Sequence, residues 1–493
     1  MRRAGVLLPI FSLPSPHGIG TLGQAAREFV DFLAASGQSF WQILPVGPTS
    51  FGDSPYQSFS SFAGNPYFID LDELVADGLL KEEEYQSLDW GNDPARVDYG
   101  LLYRTRYGVL RTACRRLLSA PPADYNDFLK ENAAWLEDYA LFMALKDRHS
   151  SAPWHQWPKG LRLREPAALA AARETLSGDI SFWQAVQYLF FRQWDALKAF
   201  ANGKGVSIIG DLPIYVSPDS ADIWAAPEQF WLDDTLTPIE VAGCPPDGFT
   251  EDGQLWGNPL FNWPLMREQG YAWWIRRMEF QFRLFDVLRI DHFRGFDEFY
   301  AVPYGHKNAR KGQWRPGPGK DFFRAVNEAL GPRRIIAEDL GFLTESVRDL
   351  LASTGYPGMK LLQFALDPGS DYAPHRYPRN CVVYPGTHDN DTILGWLNSL
   401  PERDADFIRR YFRLTDEEGA HWGIMRSGWA TVADLAIMPA QDLLGLGSES
   451  RINTPSTTGG NWLWRLLPGQ LTAELAQKMR NDMALYQRLP SVK

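Results

Sequence analysis

Cysteine is scarce in this chain. Its 493 residues hold three, Cys114, Cys244 and Cys381, far apart and odd in number. They supply neither a disulfide framework nor a zinc-binding spacing. The eight histidines form no HExxH or comparable cluster, so no metal site is expected. No apolar run approaches the ~20 residues of a membrane span. The apolar start Gly5-Val-Leu-Leu-Pro-Ile-Phe11 is broken by Pro9 and Pro14, and no small-residue cleavage site follows. A soluble, cytoplasmic protein is expected. Positive charge is also short, with 49 Lys and Arg against 60 Asp and Glu and a net charge of −11. Phosphate binding needs clustered basic residues, so nucleic acid and anionic membranes are poor partners. A glycine-rich phosphate turn after an early strand is missing, which removes the nucleotide-binding open sheet, and no cofactor is expected. Internal repeats and low-complexity tracts are absent as well.

What the chain does have is aromatic residues, 14% of the total with 19 Trp. Most must pack a core. Some could line a sugar groove, because an aromatic face covers the C–H surface of a pyranose.

Short β-prone runs lie near Gly5–Ile10, Trp41–Val46, Val206–Asp211, Val287–Asp291, Arg334–Glu338, Met359–Phe364, Cys381–Tyr384 and Ala433–Met438. Amphipathic stretches such as Leu22–Ser36, Ala272–Leu284, Thr344–Ser353 and Thr392–Ser399 separate most of them. Eight strands alternating with helices predict an α/β protein, a (β/α)8 TIM barrel filling residues 1–493 as one catalytic domain. Between the second and third strands, residues 65–201 read as a large, mainly helical insertion. After the third strand, residues 217–263 are rich in Pro, Gly, Asp and Trp without periodicity. That predicts a long structureless loop of the kind that covers or binds. Beyond the eighth strand there is one helix near Thr472–Tyr486 and too little chain for a C-terminal β-sandwich.

Within Val287-Leu-Arg-Ile-Asp-His-Phe-Arg-Gly-Phe296, Arg289 and Asp291 are two apart and so share one face of a strand. Buried charges cost several kcal/mol each unless paired. Asp211, Glu338 and Asp389 end other strand-like runs, and barrel sites lie at the carboxyl ends of the strands. Each acid alone has a structural reading: Asp389 and Asp391 near a helix start, Asp211 in a turn, Arg289 with Asp291 as an ion pair. Gathered on one rim, they would repel one another without a functional return. Clustered carboxylates with an arginine, and without metal or cofactor, suit cleavage of a glycosidic bond. Retaining enzymes use a nucleophilic carboxylate and a carboxylic acid about 5–5.5 Å apart. Arg289 would keep Asp291 ionised, while the neighbouring acids would raise the proton affinity of Glu338.

In this order, Asp211, Arg289-x-Asp291, Glu338 and His388-Asp389 resemble the signature regions of the α-amylase superfamily. Longer stretches resemble the 4-α-glucanotransferases called amylomaltases or disproportionating enzymes. They are Leu13–Thr21, Trp41–Pro48, Asp53–Tyr67, Pro245–Phe249 and Gly253–Pro259. The resemblance covers essentially the whole chain. It implies breakage of an α-1,4 bond of maltooligosaccharides, starch or glycogen. The glucanosyl unit would pass to the 4-hydroxyl of another glucan or of glucose through a covalent glucosyl-enzyme. It implies Asp291 as nucleophile, Glu338 as general acid/base, and Asp389 as the group that binds the sugar 2- and 3-hydroxyls. Asp211, Arg289 and His388 would hold the cleaved ring, with Tyr56 stacked near it. Ser54, Gln254, Trp256 and Asn461 would lie along the groove. The expected partners are donor and acceptor glucans, and the expected assembly is a monomer or weak homo-oligomer.

Overall fold

The computed structural model describes residues 2–50, 52–246, 251–341, 343–457 and 459–490. Eight parallel strands form one sheet: Arg3–Leu7, Phe40–Gln42, Ser207–Leu212, Val287–Ile290, Ile335–Ala337, Gly358–Leu361, Cys381–Tyr384 and Leu435–Pro439. The first and eighth strands pair, so the chain's ends meet in the middle of the sheet. The fifth and sixth strands face each other across the seam, where Ala337 N donates to Pro357 O at 3.0 Å. The result is a nearly closed (β/α)8 barrel.

Alternation along each strand explains why it closes and what it carries. Leu7, Phe40, Ile209, Val287, Ile336, Met359, Leu361, Val382, Tyr384 and Ile437 form one buried cluster. Every strand supplies at least one of them, so this cluster fills the barrel. Their neighbours Val6, Trp41, Ile208, Leu288, Ile335, Val383 and Met438 point outward into the larger core beneath the helices. Successive strand side chains take opposite faces, so counting on by two from each interior residue reaches the rim. Ile209 leads to Asp211, Val287 to Arg289 and then Asp291, and Ile336 to Glu338. The same parity that packs the barrel lifts these charges to its mouth.

The surrounding helices have local causes. The helix Glu345–Thr354 begins where Thr344 Oγ1 accepts from Val347 N, and it stops at Gly355, whose φ is 70°. Gln24–Ala35 buries Ala26, Phe29, Val30 and Leu33 at helical spacing. Between the second and third barrel strands run the long helices Tyr99–Ser119, Tyr125–Arg148 and Ser177–Gly203. The last two interlock through aromatic pairs such as Tyr125 with Tyr188, 5.2 Å between ring centroids.

Residues 217–263 are not structureless. They contain the helix Ala221–Ala225 and the strands Glu240–Cys244 and Gln254–Pro259. These strands join Glu298–Pro303 and Gln313–Pro316 in a four-stranded antiparallel sheet beside the barrel. The expectation of a long loop fails because half of that sheet comes from a segment beyond the fourth barrel strand. Strand periodicity is also blurred by Gly243, Cys244 and Gly257 and by a bulge between Val241 and Gly243. Asp247, Gly248 and Phe249 of the motif Pro245–Phe249 lie outside the described residues. Beyond Pro439 the described residues form helices, including Ala473–Leu485, and no further strand. Among them, no helix is long and apolar enough to cross a membrane.

Candidate active site

Register places the charged centre. Asp211 and Arg289 are direct partners on the paired third and fourth strands. Arg289 Nη1 donates to both oxygens of Asp211 at 2.8 and 2.7 Å, and to Asp291 Oδ1 at 3.0 Å. The side chain of Arg289 is 3% exposed and that of Asp211 is 0%. Buried this deeply, neither charge would be tolerated alone. Burial alone would lower the guanidinium's proton affinity, but Asp211 and Asp291 together outweigh it and push it up, so Arg289 stays cationic.

A second chain of contacts runs from the same aspartate. The Tyr56 hydroxyl donates to Asp211 Oδ2 at 2.9 Å and lies 2.9 Å from His388 Nε2. Its single proton goes to Asp211, so His388 must carry its proton on Nε2 and donate to the tyrosine oxygen. The two rings stack at 5.2 Å and 19°. Tyr56→Phe leaves Asp211 and His388 each short of a partner. It should lower kcat/KM by about 10- to 100-fold, the worth of hydrogen bonds to charged or catalytic groups. Initial-rate kinetics on maltotriose check this, and a change below twofold contradicts it.

Glu338 follows the last residue of the fifth strand, and its backbone N donates to Ile290 O at 3.0 Å. Its Oε2 accepts from the backbone N of His292 at 2.6 Å. His292 adjoins Asp291 and has φ 53°, a left-handed turn that aims its amide back across the rim. Glu338 and Asp291 are therefore neighbours over the barrel mouth. Loss of hydration, and then the charge of Asp291, push the Glu338 carboxyl up to about 8, against the pull of Arg289 and of the His292 amide. At neutral pH Glu338 is an acid. Burial drives the His292 imidazole the other way, down to about 4, and it stays neutral.

Asp389 lies beyond the seventh strand, with its side chain 43% exposed. Its Oδ1 accepts from Asn453 Nδ2 at 2.6 Å and lies 3.4 Å from His388 Nε2. Trp256 lies nearly perpendicular to the His292 ring, 4.8 Å between centroids, and its Nε1 donates to Gln254 Oε1 at 3.1 Å. Ser54 Oγ accepts from the backbone N of Tyr56 at 3.2 Å. Asn461 is different. Its side chain braces its own loop, accepting from Thr454 N and donating to Thr457 Oγ1, with no bond to the acids.

The structure thus joins Tyr56, Asp211, Arg289, Asp291 and His388 in one hydrogen-bonded network, and sets Asp389 and Glu338 beside it. Two residues in this assembly escaped the sequence reading. Trp462 stands 5.8 Å from the Tyr56 ring and 6.0 Å from that of His388, and Asn453 holds Asp389. The pair Gly459-Gly460, both with φ near 80°, marks a turn before Trp462 and was the one available signal.

The raised proton affinity of Glu338 has a consequence for stability. The folded protein holds a proton up to about pH 8 on a group whose ordinary value is 4.5. Asp442 and Asp222, pushed by burial to about 7 and about 6, have the same sign. Their contribution is complete below the ordinary carboxylate range and is lost as pH climbs through these values. The melting midpoint should therefore fall between pH 5 and pH 8, and Glu338→Gln should flatten the fall and raise the midpoint at pH 8. Calorimetry at three pH values decides, and an unchanged slope in the variant would count against it.

A (β/α)8 barrel with an arginine, a histidine and four carboxylates at its mouth is the arrangement of the α-amylase superfamily. Comparisons narrow this. The family described as 4-alpha-glucanotransferase matches residues 8–471. The chain is 46% identical over 483 residues to the 4-alpha-glucanotransferase of Clostridium butyricum, covering 97% of this chain and 99% of that one. It is 47% identical to the Thermus thermophilus 4-alpha-glucanotransferase, with 99% of each covered. The solved amylomaltase of Streptococcus agalactiae, in complex with acarbose, superposes with a TM-score of 0.98 at 42% identity. It covers 99% of this chain and 100% of that one. The chain belongs to the 4-α-glucanotransferase family and is an enzyme of the amylomaltase type.

Proposed function

We propose that this enzyme disproportionates α-1,4-glucans by double displacement with net retention. Asp291 attacks the anomeric carbon of the donor, and a β-glucosyl-enzyme forms as the bond to the leaving sugar breaks. Glu338 gives its proton to the departing 4-oxygen. It then removes the proton from the acceptor's 4-hydroxyl, which attacks the same carbon and restores the α-configuration. Asp389 binds the 2- and 3-hydroxyls and counters the positive charge on the ring in the transition state. Tyr56, Asp211, Arg289 and His388 form the wall of the cleaved subsite. Gln254, Trp256, Ser54 and Asn461 belong to the groove and its edges.

The observation that carries this reading is the unlike setting of two adjacent acids. Asp291 is bound to a buried arginine, while Glu338 is held as an acid to about pH 8. A carboxylate fixed in place beside a protonated acid is what double displacement needs. The acarbose bound to the Streptococcus agalactiae relative supports a groove for glucan-like chains. Residues 65–201 form a helical subdomain in this reading, and residues 217–263 cover the acceptor side. There they favour a sugar hydroxyl over water. Cytoplasmic location fits a substrate made of soluble or stored glucan.

Incubation with maltotriose alone tests the function. Transfer yields glucose together with a ladder of longer oligosaccharides. A product mixture holding only maltose and glucose would mark a hydrolase and overturn the proposal.

A further inference from the structure

We infer that Asn453 is a positioning residue for the reaction: its side-chain amide sets the orientation of Asp389. This rests on the reading of Asp389 as a transition-state group. Asp389 is the more exposed of the two aspartates invoked in the chemistry, 43% against 28% for Asp291. Asp291 is gripped by Arg289, whereas a half-exposed carboxylate is free to turn about its own χ angles. A group that meets two hydroxyls in the transition state must be aligned beforehand.

The geometry shows what aligns it. Asn453 Nδ2 donates to Asp389 Oδ1 at 2.6 Å. An ionised carboxylate only accepts, so the amide nitrogen must be the atom facing it. Asp389 Oδ2 accepts no bond from the described residues, which leaves that oxygen for the sugar. Asn453 is itself fixed at both of its backbone groups. Its backbone N donates to His388 O at 3.1 Å. Its carbonyl accepts from Arg451 Nε at 2.7 Å, and the same guanidinium donates to the Asp389 carbonyl at 2.6 Å. Arg451 thus ties the backbones of Asn453 and Asp389 together, and the side-chain bond is formed between two anchored ends. Trp462 N closes the segment onto Ile452 O at 2.7 Å.

The test is a double-mutant cycle read through turnover and KM separately. Asn453→Ala should lower kcat on maltotriose by about 10- to 100-fold, as expected for loss of a hydrogen bond to a charged group, with KM changing less than about threefold. In an Asp389→Asn background, assayed with α-maltotriosyl fluoride as a donor that needs no leaving-group proton, Asn453→Ala should cost less than about twofold. An equal loss in both backgrounds, or wild-type kcat in the single variant, overturns the inference. Should Asn453→Ala fail to fold, Asn453→Asp decides. It keeps the size but sets carboxylate against carboxylate, so turnover should fall at least as far, and normal turnover overturns the inference. Near-normal activity of Asp389→Asn alone would instead sink the underlying reading of Asp389. An impaired Asp389→Asn beside an intact Asn453→Ala would sink only the present inference.

Discussion

Asp291→Asn is expected to lower kcat/KM for maltotriose by about 10⁴-fold or more, while oligosaccharide binding changes less than about tenfold. The substitution is nearly isosteric. Asp291 N donates to Leu212 O at 3.0 Å, which keeps the residue in place whatever its side chain. Arg289 keeps both contacts to Asp211, at 2.7 and 2.8 Å, so the buried ion pair at the rim stays intact. An amide oxygen, however, cannot form a glucosyl ester that turns over. The same change removes the negative charge that helps hold Glu338 protonated, so the proton affinity of Glu338 should drop. Activity within tenfold of wild type would contradict the assignment of the nucleophile.

Glu338→Gln should lower turnover of maltotriose by about 10³-fold or more, because both half-reactions lose their proton transfer. The size of the loss should depend on the donor. With α-maltotriosyl fluoride the leaving group departs as fluoride, and the first half-reaction needs no acid. The variant should then glucosylate itself readily but transfer slowly, since no base activates the acceptor hydroxyl. A burst of fluoride followed by slow release is the expected time course. Equal impairment with both donors would mean that Glu338 does something other than exchange protons.

The barrel was legible because each of its strands is a short apolar run, and the acids were legible because they stop those runs. Ile209 and Asp211, or Ile336 and Glu338, show core parity and site parity in the same four residues. The small antiparallel sheet was not legible. Its strand Glu240–Cys244 pairs with Glu298–Pro303 across the fourth barrel strand, and a glycine and a bulge break its alternation. Asn453 was hidden for a different reason. It sits 64 positions from Asp389 in a segment with no periodicity, and only the folded chain brings them to 2.6 Å. Asn461 was singled out as a groove residue, and its neighbour Trp462 was not. In the structure the asparagine closes the loop, while the tryptophan beside it reaches Tyr56 and His388.

The reaction path proposed here requires a sugar to be bonded, for a time, to one carboxylate of the protein. Mass spectrometry of Glu338→Gln after mixing with α-maltotriosyl fluoride looks for that bond directly. A protein heavier by one maltotriosyl unit, with the added mass on the peptide holding Asp291, is the predicted spectrum. Unmodified protein despite fluoride release, or a label on any other residue, would contradict it.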